Sequence, residues 1–286
     1  MTAAKRKIIV AKSAGFCWGV QRAFNKVLDI ASNHPERRPV YTYGPLIHNP
    51  QAVSMLEQQG IGVLNDIPSD LDGTVVIRTH GVPPAERKKL EGSGAKLCDA
   101  TCPDVGIIQG TVRKHLRLGY YIVIIGHREH PEVMALLGFA EKSGACVNSA
   151  EEVGALPANL GKVCVVSQST QQREKFDQLV ALLKERYPDC LVFDTICRST
   201  DMRQQEVREL AGRVDAMVVV GGRNSSNTNR LAEISRAMGA PTFLIETDEE
   251  ISPSEFANFR AIGVTAGAST PKWVIERVVE RLESME

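Results

Sequence analysis

The sequence has no long hydrophobic run. None of its apolar stretches approaches the roughly 18 residues that a membrane-spanning helix needs. The opening MTAAKRKIIVAKSAG is basic, but its apolar stretch is only Ile8–Val10, too short for the core of a secretion signal. The chain is therefore expected to be cytoplasmic, with no membrane partner. Net charge is also lacking, since 34 Lys and Arg balance 34 Asp and Glu. That excludes the basic footprint of a nucleic-acid binder. An anion held by this chain must be held by a local cluster of donors. No low-complexity linker interrupts the 286 residues, and 43% of them are hydrophobic, enough to bury an ordinary globular core.

What is present is alternation. KIIVA, TVVIRT, YYIVIIG, KVCVVS, CLVF, AMVVVGG and FRAIGVT are short apolar runs rich in β-branched residues. Amphipathic stretches lie between them, among them VQRAFNKVLDIA and REKFDQLVALLKERY, the latter with Phe176, Leu179, Val180 and Leu183 on one face. Such alternation predicts an α/β fold with mainly parallel sheets. A repeat underlies it. The 95-residue offset between Cys102 and Cys197 is kept between Gly126 and Gly221, and between Arg128 and Arg223. The first third fits the same plan more loosely, with YTYGPLIHN as its first polar loop and VVIRTHGVPP as its second. Three similar α/β modules are expected: residues 18–101, 102–196 and 197–286, with a strand in 1–17 joining the third. A pseudo-threefold arrangement would bring the equivalent residues to one centre.

The repeat puts Cys17, Cys102 and Cys197 at equivalent positions, each expected to end a strand and open a helix. The carboxyl ends of parallel strands are where such folds build sites, and a helix N-terminus favours thiolate. The seven cysteines are an odd number, widely scattered, so in a reducing compartment a shared role points to metal or catalysis rather than disulfides. Three thiolates match a 4Fe–4S cluster with one open iron, able to pass electrons and to polarise a substrate oxygen. A zinc site would ordinarily need a fourth ligand nearby. Cys98, Cys146, Cys164 and Cys190 lie in or beside apolar strands and read as small core hydrophobes.

Polar loops follow the inner strands. They supply His48 and Asn49 from IHNP, His130 and Glu132 from HPEV, Ser225, Ser226 and Asn227 from NSSN, His80 from RTHG, Ser169 and Thr170 from QST, and Ser269 from GAST. Taken singly, each Ser or Asn is an ordinary helix cap. Converging, they form a donor-rich cradle for a phosphate or diphosphate with few Lys or Arg. Glu132 is the odd member. A carboxylate among anion-binding groups would be repelled unless protonated, which marks it as a proton donor. His34 and His115 are expected to be solvated.

These residues resemble a known family, the 4-hydroxy-3-methylbut-2-enyl diphosphate reductases of the non-mevalonate isoprenoid pathway. AGFCWGVQRA, IHNP, RTHG, DATCP, GHREHPEV, DTICRST, RNSSNTNRL and GAST occur in the family's order over nearly the whole chain. The resemblance implies three modules in a trefoil around a 4Fe–4S cluster held by Cys17, Cys102 and Cys197. It implies an allylic diphosphate substrate bound by His48, His80, His130, Ser225, Ser226, Asn227 and Ser269. Glu132 is then the proton source, with Ser169 and Thr170 near the substrate hydroxyl. A one-electron donor such as ferredoxin or flavodoxin would be the partner. Three departures stand out: QST at Gln168–Thr170 where the family usually has QTT, the bulky Trp18 beside Cys17, and Arg128 and Glu129 ahead of His130 where the family often has smaller residues. Serine keeps the hydroxyl and loses the methyl that restricts its rotamer. The competing readings are an aconitase-like hydratase that consumes no electrons and an iron–sulfur sensor.

Overall fold

The structure, a computed structural model, describes residues 6–285; residues 1–5 and 286, included in the predicted modules, lie outside the described residues. The strands are β1 (Lys7–Val10), β2 (Val40–Tyr43), β3 (Ile61–Leu64), β4 (Thr74–Ile77), β5 (Lys96–Asp99), β6 (Tyr121–Ile125), β7 (Gly144–Val147), β8 (Val163–Ser167), β9 (Leu191–Val192), β10 (Ala216–Val220), β11 (Thr242–Ile245) and β12 (Ala261–Ala266). The helices are α1 (Trp18–Asn33), α2 (Pro50–Gln58), α3 (Pro84–Glu91), α4 (Pro103–Arg117), α5 (Pro131–Ala140), α6 (Ala150–Gly154), α7 (Arg173–Arg186), α8 (Arg198–Ala211), α9 (Ser226–Ala237), α10 (Pro253–Phe256) and α11 (Lys272–Glu283).

Three α/β modules result, each with a four-stranded, wholly parallel sheet, and the sheets share one strand order: β5-β4-β2-β3, β9-β8-β6-β7 and β1-β12-β10-β11. The first strand of each order leads to a cysteine. The second leads to one polar loop and the third to the other. Strands β4, β8 and β10 are buried along their whole length, and β6 and β12 at every position but the first. They are the continuous apolar runs legible in the sequence, as expected where helices cover both faces of a parallel sheet. Outer strands such as Gly144–Val147 and Lys96–Asp99 are half-exposed and mixed in composition. The segment Tyr41–Tyr43, expected in a polar loop, belongs to β2 and pairs with β3 and β4. Its tyrosines and threonine are good strand formers, and the loop proper starts after them.

By compactness the chain divides into two units, Met1–Gln21 with Ile47–Met55 and Arg198–Glu286, and Arg22–Leu46 with Leu56–Cys197. In the first, β10 and β12 supply Val218, Val220, Ile262 and Val264 to a core closed by Val274, Val278 and Leu282 of α11. Parallel pairing of Lys7 with Ala261 places β1 beside β12 in this unit. In the second unit, α7 buries Phe176, Leu179 and Leu183 as its periodicity predicts, with Val180 half-buried. His115 departs from expectation. Rather than being solvated it is 6% exposed, with Nδ1 at 2.8 Å from the Thr111 carbonyl and its ring against Tyr120 and Phe193. It occupies the buried face of α4 with Ile108 and Val112, a phase that the flanking basic residues obscure.

Gly138 sits inside α5, where a Cβ would lie 2.7 Å from Cβ of Pro83 and 3.2 Å from its Cα. Helix propensity alone favours Gly138→Ala by roughly 1 kcal/mol. Overpacking against a proline ring opposes it by about 1–3 kcal/mol. The variant is therefore expected to lower the denaturation midpoint. A raised midpoint would show that α5 does not pack against the loop that opens α3.

Candidate active site

Each of the three equivalent cysteines immediately precedes a helix: Cys17 before α1, Cys102 before α4 and Cys197 before α8. None lies on its strand, because residues 11–16, 100–101 and 193–196 intervene. What fixes them is a shared hydrogen bond. The Cys17 N–H donates to the Ala268 carbonyl at 3.0 Å, that of Cys102 to Thr79 at 2.9 Å, and that of Cys197 to Ser169 at 2.9 Å. Ala268, Thr79 and Ser169 belong to GAST, RTHG and QST, so each cysteine is tied to the loop after the neighbouring strand. All three are partly exposed.

The other four cysteines lie in or against the cores. Cys98, Cys146 and Cys164 are buried, and Cys190 packs half-buried against a core. Burial pushes the Cys146 thiol up to about 11 and that of Cys164 to about 12, and raises Cys190 in the same way. A ligand must be a thiolate, so the donor set that fits a cluster is the part-exposed, helix-opening trio. Sequence reasoning missed Asp104, whose Oδ2 accepts a hydrogen bond from Cys197 Sγ at 3.0 Å. Nothing in the spacing connects these two positions.

In the first unit the predicted anion-binding residues stand at helix starts. Asn49 Oδ1 caps α2 by accepting from the Ala52 N–H at 2.9 Å, and Ser225 Oγ caps α9 by accepting from Thr228 N–H at 3.3 Å. Both capping readings hold, and the first turn of α9 still presents Ser226. Ser269 Oγ donates to the His48 carbonyl at 3.2 Å, drawing GAST and IHNP together. Gly222 is required here, because a Cβ would fall 2.7 Å from that same carbonyl. Asn227 is 3% exposed, yet among the described residues neither its Nδ2 nor its Oδ1 has a partner. Buried amides are almost always hydrogen-bonded.

The second unit holds His80, His130, Glu132, Ser169 and Thr170. His130 and His80 meet edge to face at 5.3 Å between ring centroids. The Nδ1 atom of His130 caps α5, accepting from the Glu132 N–H at 3.2 Å. In that contact Nδ1 is the acceptor. Glu132 is 1% exposed, and Ser169 grips its carboxylate twice, N–H to Oε1 at 2.6 Å and Oγ to Oε2 at 2.7 Å. Thr170 is held apart from this pair, its hydroxyl accepting from Gln168 Nε2 at 2.8 Å.

Residues 8–283 match the family described as LytB protein. The chain belongs to the LytB family. Among its relatives, a protein of Opitutus terrae named 4-hydroxy-3-methylbut-2-enyl diphosphate reductase is 45% identical, over 98% of this chain and all of its own. One of the same name from Anaeromyxobacter is 42% identical, over 96% of this chain and 98% of its own. A solved structure of the Plasmodium falciparum diphosphate reductase superposes with a TM-score of 0.91 at 26% identity, covering 97% of this chain and 88% of that one. Another, described as the terminal enzyme of the non-mevalonate pathway, gives 0.70 at 39% identity, covering 97% and 99%. Among the described residues of this LytB chain, no helix is long and apolar enough to cross a membrane.

Within the LytB chain, burial raises the Glu132 carboxyl to about 7, against the lowering effect of its two bonds from Ser169. Between pH 4.5 and 7 the folded protein therefore holds a proton that the unfolded chain has released. The stability this gives is complete below pH 4.5 and lost as pH rises to 7, to the extent of about 3 kcal/mol. Denaturant unfolding of wild type minus Glu132→Gln should show that decline. A difference flat in pH would mean the carboxyl is not desolvated.

Proposed function

We propose that this protein removes the allylic hydroxyl of 4-hydroxy-3-methylbut-2-enyl diphosphate by reduction. Substrate, two electrons and two protons give water and isopentenyl or dimethylallyl diphosphate. Cys17, Cys102 and Cys197 would hold a 4Fe–4S cluster, which when bound supplies electrons one at a time and Lewis acidity. The observation that carries the reading is the Glu132–Ser169 pair, a carboxyl kept fully buried at about 7 in a chain whose relatives bear the reductase name.

The chain's own residues do the rest. Ser225, Ser226, Asn227 and Ser269, with His48, His80 and His130, bind the diphosphate. Asn227 brings its unsatisfied amide and α9 its first-turn N–H groups. Glu132 delivers a proton to the departing hydroxyl. Ser169 is the relay, because its hydroxyl can turn to accept from protonated Glu132 and donate onward. Thr170, steered by Gln168, lies near the same hydroxyl. Burial of the pair keeps water from competing with the reacting centre. The electrons come from a carrier such as ferredoxin or flavodoxin.

Anaerobic iron and sulfide analysis tests the ligands. Cys102→Ser is expected to lose most of its iron and Cys164→Ser to keep it; full iron in Cys102→Ser would remove the assignment. Glu132→Gln should retain substrate binding and cluster, while turnover per cluster drops by roughly two to four orders of magnitude. In wild type the rate should fall as pH rises through about 7, where Glu132 loses its proton, and the variant should lack that limb. A count of two electrons consumed per product separates reduction from hydratase chemistry.

A further inference from the structure

The second unit carries a groove of about 1010 Å³ along α3 and α4, with Thr101 and Cys102 in its wall. Cations dominate its rim. Lys88, Arg113 and Arg117 are exposed and, among the described residues, none forms an ion pair. Arg22 reaches in from α1 to the Thr101 carbonyl at 3.3 Å. Arg87 pairs with both Glu91 at 3.0 Å and Asp99 at 2.6 Å, and with Glu141 the lining sets five cations against three acids. In a chain of zero net charge this excess is a local construction. The surface is also partly apolar. Phe139 lies under the Arg113 guanidinium at 5.4 Å, and Ile107, which follows the groove residue Gly106 in α4, is 66% exposed.

Unpaired cations around a small apolar patch are what a transient, charge-steered protein encounter uses. The groove is far larger than an inorganic anion needs, and one proposed cluster ligand forms part of its wall. We infer that it is the docking surface for an acidic one-electron carrier protein, which delivers electrons by way of Cys102. This rests on the reductase reading above. Each encounter oxidises the carrier by one electron and reduces the enzyme by one. Two encounters, with two protons, serve each turnover.

The test uses the cluster-loaded enzyme, an acidic [2Fe–2S] ferredoxin as carrier and dithionite as a small reductant that needs no docking. The double variant Lys88→Glu/Arg117→Glu should raise the KM for ferredoxin on the order of tenfold. The Gln counterparts should have a smaller effect, and wild-type rates with ferredoxin should fall with added salt. KM for the substrate and the dithionite-driven rate should stay at wild-type values. Calorimetry with oxidised ferredoxin should show the same loss of affinity without any turnover. An unchanged ferredoxin KM and affinity, or an equal fall in both assays, would overturn the docking surface. Wild-type enzyme that bound ferredoxin through these cations but reduced no substrate with dithionite would instead count against the reductase reading.

Discussion

In each sheet the backbone N–H of a cysteine is donated to a carbonyl in the loop that follows the neighbouring strand. A bond of this kind is worth about 1 kcal/mol net, so its importance is positional. It joins the start of a helix to a loop whose side chains carry the polar chemistry. Where Ser169 accepts from Cys197, the same residue also holds both oxygens of Glu132 through its own N–H and hydroxyl. The thiol and the acid are thereby placed by one residue. A loop with this duty cannot slide without carrying the cysteine with it.

Polar groups in the site split into those the chain satisfies and those it does not. Asn49, Ser225 and His130 spend one side-chain atom each on capping a helix, which fixes the position of the side chain. Asn227 spends neither atom on a partner among the described residues. Glu132 is desolvated and gripped at once, two opposing influences of which burial is the stronger. The result is a carboxyl poised to exchange its proton near neutrality rather than a fixed charge.

Much of this was legible beforehand. The central strands announced themselves as β-branched runs, because strands covered on both faces tolerate little else, and the 95-residue offset exposed the equivalence of Cys102 and Cys197. The outer strands were harder to read. Lys96–Asp99 and Gly144–Val147 are half-solvated, so their composition follows no period. Three basic neighbours mask the place of His115 on the inner face of α4. The bond from Cys197 to Asp104 joins residues on different elements, and local patterning holds no information about it. In the sequence Ser169 stands out for its hydroxyl, whereas in the structure its backbone N–H and carbonyl are equally engaged.

Pairing of Lys7 with Ala261 has a consequence for assembly. The sheets built on β2 and on β6 each draw their strands from one contiguous stretch, and each can close as soon as that stretch has left the ribosome. The sheet built on β10 cannot. Its first strand precedes every other described strand of the chain, and the strand it must join follows them all. Closing so long a loop is entropically slow. Until β12 emerges, Ile8 and Ile9 have no neighbour on which to pair, and the Cys17 amide has no Ala268 carbonyl to meet. The thiol encoded first therefore reaches its backbone anchor last, which makes the time of synthesis itself a gate on when all three cysteines are in place.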